Sequence, residues 1–126
     1  MSEKSSLAKR LRRKRNHADL KTWIELDTAA VRGNCAAFRK LVGPKTKLFS
    51  VVKSNAYGHG IYAFAPIAEE YGVDGFCIDY VAEGETLRRE GIKKFTLTLG
   101  PTLPALLSRA KANKVTVSVA TFDALK

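Results

Sequence analysis

Histidine and cysteine are scarce in this chain of 126 residues, with two of each: His17, His59, Cys35 and Cys77. No metal-ligand cluster can be written from so few donors, and the cysteines form no CxxC pair. They are expected as buried free thiols in a reducing compartment. Long hydrophobic runs are missing too, which excludes a helix that crosses a membrane. The basic N-terminus is not followed by the apolar segment of a secretory signal, so the expected location is the cytoplasm. No GxSxG elbow occurs, which removes support for serine-hydrolase chemistry, and neither GxxxxGK[ST] nor a complete dinucleotide fingerprint is present. Length is limiting as well: it suffices for one domain with a core of its own, not for two.

Positive charge, by contrast, is abundant. The formal net charge is +10, and at first sight this suggests a nucleic-acid binder. Most of it is local, because the first fifteen residues hold seven Lys or Arg against the single acid Glu3, a net +6. The remainder, with fifteen bases and eleven acids, carries +4. Residues 1–18 therefore read as a basic, disordered tail, and residues 19–126 as the folded part. A contact with nucleic acid is hinted at by the tail alone, and no aromatic residue is interleaved there for base stacking.

Beyond the tail the pattern is regular. Thr22–Asp27 alternates like a half-buried strand. Asp27 or Thr28 can cap a helix with Val31, Cys35, Phe38 and Val42 on one face, stopped by Gly43-Pro44. A strand over Leu48–Val52 leads to Lys53, and a helix follows over Ile61–Glu70. Gly75–Ile78 is expected as a short buried strand, and Val81–Glu90 as a helix with acids early and arginines late, as the helix dipole favours. Gly84 weakens that helix by about 1 kcal/mol relative to alanine. Phe95–Leu99 is expected as a strand closed by Gly100-Pro101. Helical spacing then runs from Leu103 to Ala110, with Pro104 in the first turn. A strand over Val115–Val119 and the opening of a helix at Thr121 complete the pattern. Strand and helix alternating at this interval demand parallel strands with right-handed crossovers, as in a TIM-type barrel or an open doubly wound sheet. Four such strands cannot close an eight-stranded barrel, so the chain is expected to be the N-terminal part of a longer protein.

Lys53 is the residue on which this order converges. A lysine at the carboxyl end of a parallel strand stands where α/β folds build active sites. In a dry setting a lysine loses basicity and becomes a nucleophile for carbonyls, pyridoxal phosphate included. The competing reading is a solvated strand-end charge. His59 alone specifies no catalytic constellation and is read as a turn-stabilising or solvated side chain.

The string from Val51 to Gly60, VVKSNAYGHG, resembles the pyridoxal-phosphate motif of bacterial alanine racemases, VVKANAYGHG, and departs from it at Ser54. The resemblance extends to WIELDTAAVRGN at 23–34, FCID at 76–79, EGETLRREGI at 83–92 and LTLGP at 97–101. It implies an α/β fold, the N-terminal part of a TIM-type (β/α)8 barrel, incomplete here. The first strand near Trp23 is then expected to join a C-terminal β-domain that these residues do not include. It implies that Lys53 forms the Schiff base with pyridoxal 5'-phosphate and serves as the catalytic amine. Tyr57 is implied as donor to the cofactor phosphate, with Val51 and Leu99 lining the cofactor cavity.

The implied activity is interconversion of L-alanine and D-alanine for peptidoglycan, in a protein that is a homodimer at full length. Racemisation needs a second proton carrier on the opposite face of the substrate carbon. In the family this is a tyrosine of the partner subunit's C-terminal domain, so the chain alone is expected to be inactive and to hold the cofactor weakly. Other pyridoxal-phosphate barrels are the alternatives: a broad-specificity or serine racemase, an amino-acid decarboxylase, or a non-catalytic cofactor carrier. The decarboxylases generally lack the Tyr-Gly-His-Gly continuation, and the one-domain carriers lack the opening strand at Trp23.

Overall fold

The computed structural model describes residues 20–125, so the basic tail at 1–18 lies outside the described residues. The first element is helix α1 (Thr28–Val42), started by the Asp27 carboxylate, whose Oδ1 accepts from Ala29 N at 2.8 Å and Ala30 N at 3.1 Å. It is ended by Gly43 at φ 76°, a left-handed conformation that glycine adopts freely. After it come strand β1 (Phe49–Val51), a short turn (Lys53–Tyr57), helix α2 (Ile61–Glu70), strand β2 (Gly75–Ile78) and helix α3 (Val81–Arg89). Strand β3 (Phe95–Pro101), a 3-10 turn (Pro104–Leu106), helix α4 (Leu107–Ala112), strand β4 (Thr116–Ser118) and helix α5 (Phe122–Leu125) complete the order.

The four strands form one sheet in the order β1-β2-β3-β4, each pair parallel. Neighbours in sequence are therefore neighbours in space, with helical crossovers between them, as in an arc of an α/β barrel. Register assigns the two faces. Val52, Phe76, Ile78, Thr96 and Thr98 alternate toward the helices and have no solvent-accessible surface. Against them pack Ile61, Ala65 and Ala68 of α2, Val81 and Leu87 of α3, and Ala110 of α4. The opposite face carries Phe49, Val51, Cys77, Phe95, Leu97 and Leu99. It is still apolar, but Phe95, Val51 and Leu99 stand exposed. Burying a side chain of this size is worth roughly 1.5–3 kcal/mol, so an open apolar face is where barrel strands meet further side chains. The two buried threonines are satisfied: Thr96 Oγ1 donates to Lys94 O at 3.1 Å, and Thr98 Oγ1 accepts from Ser118 N at 3.2 Å.

Several expectations shift. Thr22–Asp27 is not a strand here, because among the described residues no strand lies beside it, and Trp23 and Ile24 stand exposed. No residue of α1 is fully buried, and Phe38 is exposed; the helix rests its face on a cleft of about 310 Å³ beside β1 rather than on a closed core. Gly100-Pro101 does not close β3. The strand continues through both because its register against β4 shifts between Leu97 and Pro101, a bulge of the kind that tolerates proline. A side chain at Gly100 would meet Asp79 Oδ1 at 2.8 Å. The last strand is shorter than expected at both ends, and the helix after Pro104 begins as a 3-10 turn. Of the two cysteines, Cys77 is buried and Cys35 only half-buried; both are free thiols, and burial raises the pKa of each.

Candidate active site

The turn after β1 departs most from regular structure. The strand ends at Val51, earlier than the expected Val52, and Lys53 opens a single turn in which Ser54, Asn55 and Ala56 have φ 53–56° and ψ 45–48°. Tyr57 follows at φ 53°. These are left-handed helical angles, which cost an L-residue with a Cβ roughly 1–2 kcal/mol each. Asparagine tolerates them better than the others, and the turn leaves through Gly58 at φ 92° and Gly60 at φ 88°, where glycine pays no such penalty. Both glycines of the Tyr-Gly-His-Gly string thus have a backbone reason.

Strain of this size persists only where surroundings hold it. Ala56 donates to Val52 O at 2.8 Å and buries its methyl group in the core. Val52 N donates to Cys77 O at 2.8 Å, tying the approach to β2. Asn55 O accepts from Gly58 N at 3.2 Å and Gly60 N at 3.0 Å, while Asn55 Oδ1 accepts from Ile61 N at 2.9 Å and so starts α2. From the first turn of α3, Glu83 Oε1 accepts from Asn55 N at 3.2 Å. Its other oxygen accepts from Asp79 N at 2.9 Å and Tyr80 N at 3.3 Å, at the start of α3. Sequence reasoning missed Asn55 and Glu83 as parts of the site. Glu83 was legible as a first-turn acid complementing the helix dipole, but its reach to a turn 28 positions away in sequence was not.

The expected site residues occupy one region of the fold. Lys53 is half-buried just past the carboxyl end of β1, and Tyr57, four residues on, is 62% exposed. Val51 and Leu99 lie on the same open face of the sheet, on β1 and β3, each pairing or adjoining the layer of Cys77 on β2. They are 39% and 46% exposed, so each offers apolar surface. An amine, a phenolic donor and apolar surface at the carboxyl ends of parallel strands suit a flat aromatic aldehyde that carries a phosphate. His59 is exposed and stacks on Phe64 with ring centroids 6.1 Å apart, which accords with a turn-stabilising side chain. Among the described residues no cluster of His, Cys, Asp or Glu could hold a metal ion, and no helix is long and apolar enough to cross a membrane.

Comparison with known proteins gives the same direction. The family profile described as "Alanine racemase, N-terminal domain" matches residues 26–126. The alanine racemase of Listeria innocua serovar 6a is 42% identical over 99 residues, which cover 78% of this chain and 27% of that protein. The solved alanine racemase of Bacillus anthracis superposes with a TM-score of 0.79 at 34% identity, over 82% of this chain and 27% of the other. A histidine racemase from Leuconostoc mesenteroides subsp. sake matches at 26% identity with a TM-score of 0.73, over 78% of this chain and 26% of the other. The chain thus spans about a quarter of the length of the relatives it matches, and its α/β arc is part of a TIM barrel. With the profile running from the cap of α1 to the last residue, the chain belongs to the alanine racemase family.

Proposed function

We propose that these residues supply the Lys53 side of a pyridoxal-phosphate-dependent racemase that interconverts L-alanine and D-alanine. The observation that carries this reading is the placement of Lys53 on a strained, many-times-tethered turn at the carboxyl end of β1, in a chain of this family. When bound, pyridoxal phosphate makes the Cα–H of an amino acid acidic by taking up the charge left behind. Lys53 Nζ would be the group that holds the cofactor, and its free amine would take or return the Cα proton on one face. The Tyr57 hydroxyl would donate to the phosphate, and Val51 and Leu99 would offer the ring apolar surface and keep water from it. The proton carrier for the opposite face is proposed to come from outside these 126 residues, in a homodimer of the full-length protein. A cytoplasmic enzyme supplying D-alanine to peptidoglycan fits this chemistry. Alanine is preferred as substrate because the matched profile and the Listeria relative bear its name.

The test is chemical. Excess pyridoxal phosphate followed by borohydride should leave a pyridoxyl group on Lys53, identified by peptide mass. Lys53→Ala should lose that label while surface lysines keep theirs. Undiminished labelling stoichiometry in Lys53→Ala would remove the assigned role. The 126-residue chain alone is expected to show no alanine racemisation; measurable turnover would overturn the two-sided site.

A further inference from the structure

Both oxygens of the Glu83 carboxylate are engaged, but in different loops. Oε2 serves its own helix start, accepting from Asp79 N and Tyr80 N at 2.9 and 3.3 Å. Oε1 accepts from Asn55 N at 3.2 Å, in the centre of the left-handed turn. Asn55 is saturated by this bond, since its side-chain oxygen holds Ile61 N and its carbonyl receives Gly58 N and Gly60 N. An acid that only completed α3 would need one oxygen. The second couples the loop after β2 to the turn after β1, two residues beyond Lys53. Without an acceptor at that point the Asn55 amide loses what holds its residue in a conformation that L-residues avoid.

We infer that Glu83 is a positioning residue for Lys53: by gripping the Asn55 amide it fixes the turn, and with it the direction in which the Lys53 amine and the Tyr57 phenol are presented. The inference rests on the proposed role of Lys53. Glutamine cannot substitute, because it offers one oxygen and one NH2 group. Whichever way it is turned, an N–H donor faces either Asn55 N or the Asp79–Tyr80 pair. Aspartate keeps both oxygens but, one methylene shorter, cannot span both loops.

The experiment measures how fast pyridoxal phosphate is captured at Lys53, by borohydride quenching at successive times and peptide mass analysis, relative to surface lysines of the same sample. It is run on the full chain below its unfolding transition, with folding checked by circular dichroism. Glu83→Gln should slow capture at Lys53 by about tenfold, in the range expected when a supporting group lets a reactive one drift. Arg88→Lys, destabilised at the other end of the sheet, should melt earlier yet capture at the unaltered rate. Preferential capture at Lys53 that is equally fast in Glu83→Gln overturns the inference and leaves the Lys53 reading standing. Absence of preferential capture in the unaltered chain overturns the Lys53 reading itself. If Glu83→Gln does not fold, amide exchange in the unaltered chain decides. Protection of the Asn55 amide by about tenfold or more over its free-peptide rate supports the grip, and exchange at the free-peptide rate refutes it.

Discussion

The two ends of the sheet are held by groups of opposite charge. At the amino ends of the strands the loops are drawn together by guanidinium groups binding carbonyls. Arg88 donates from Nε to Asn113 O at 2.8 Å, from Nη1 to Ile92 O at 2.9 Å and Lys94 O at 3.2 Å, and from Nη2 to Lys114 O at 2.9 Å. That one side chain stitches the loop before β3 to the loop before β4. Arg39 does the same one step earlier, donating to Thr46 O at 2.6 Å, Gly72 O at 3.2 Å and Asp74 Oδ2 at 2.6 Å. At the carboxyl ends the gripping group is the Glu83 carboxylate, and what it grips are amides. The polarity follows from the chain: helices enter the amino-end loops with unsatisfied carbonyls and leave the carboxyl-end loops with unsatisfied amides. In such folds the amino end serves stability, and the carboxyl end carries the site.

This contrast is broken most forcefully at Arg88. Replacing it with alanine leaves four carbonyls without their donor, three of them part-buried, and partial burial lowers the guanidinium's pKa. Arg88→Ala is expected to lower unfolding free energy by roughly 2–4 kcal/mol in urea titrations, within the range for lost bonds to a charged group. Arg88→Lys should recover little of it, since an ammonium cannot fork across two loops. Capture of pyridoxal phosphate at Lys53 should be unaltered in whatever fraction stays folded. A large slowing of capture there would mean that the two ends are not separate in function.

Gly84 gives the second, smaller test, because it joins the two ends through α3. On helix propensity alone Gly84→Ala should stabilise by about 1 kcal/mol. In the structure, however, an added Cβ would lie 2.5 Å from Val115 Cγ2 and 3.1 Å from Ile78 Cδ1. Neither neighbour is the free end of a long side chain, so α3 must lift from the sheet, and overpacking of this kind costs about 1–3 kcal/mol. The net expectation is a destabilisation of about 1 kcal/mol by thermal melting, together with slower capture at Lys53, since Glu83 moves with α3. A more stable Gly84→Ala chain would show that the sheet yields there.

Much of the architecture was legible in residue patterns, and the misses have physical causes. Ile61–Glu70 and Gly75–Ile78 stand where periodicity and flanking glycines put them, because each buries a face within the chain itself. Thr22–Asp27 alternates as well as any strand, but a strand needs a ladder partner, and the described residues provide none beside it. The lysine motif announced chemistry and a turn. It did not announce a left-handed turn, because Ser54, Ala56 and Tyr57 have no propensity for one. That conformation is imposed by tethers from Val52, Ile61 and Glu83, contacts that no local reading contains. Gly84 was read as a weak point of its helix, and only the approach of Val115 gives its reason.

The smallest expected effect is one of pH, and its leading group, Asp74, belongs to the amino end. Asp74 accepts from Leu48 N at 2.8 Å and from Arg39 at 2.6 Å, and Leu48 O receives Asp74 N at 2.7 Å, so the residue closes the entry to β1. The backbone bond from Leu48 and then the hydrogen bond from Arg39 hold its carboxyl below the usual carboxylate range. Glu85, bound by Arg109 at 2.8 and 2.7 Å, is lowered for the same kind of reason, its Arg109 hydrogen bond leading. A carboxylate whose folded pKa is depressed binds its proton more readily when unfolded. Its stabilisation is therefore complete above the ordinary carboxylate range and drains away as pH falls through that range to the lower folded value. Both groups are half-buried and within reach of solvent, so the loss should be modest and should shrink further in salt. Asp74→Asn should flatten the acid side of the stability profile, as read by urea midpoints at successive pH values, and leave the neutral side parallel to that of the unaltered chain. An acid limb as steep in Asp74→Asn as before would place the titrating grip elsewhere than at the mouth of β1.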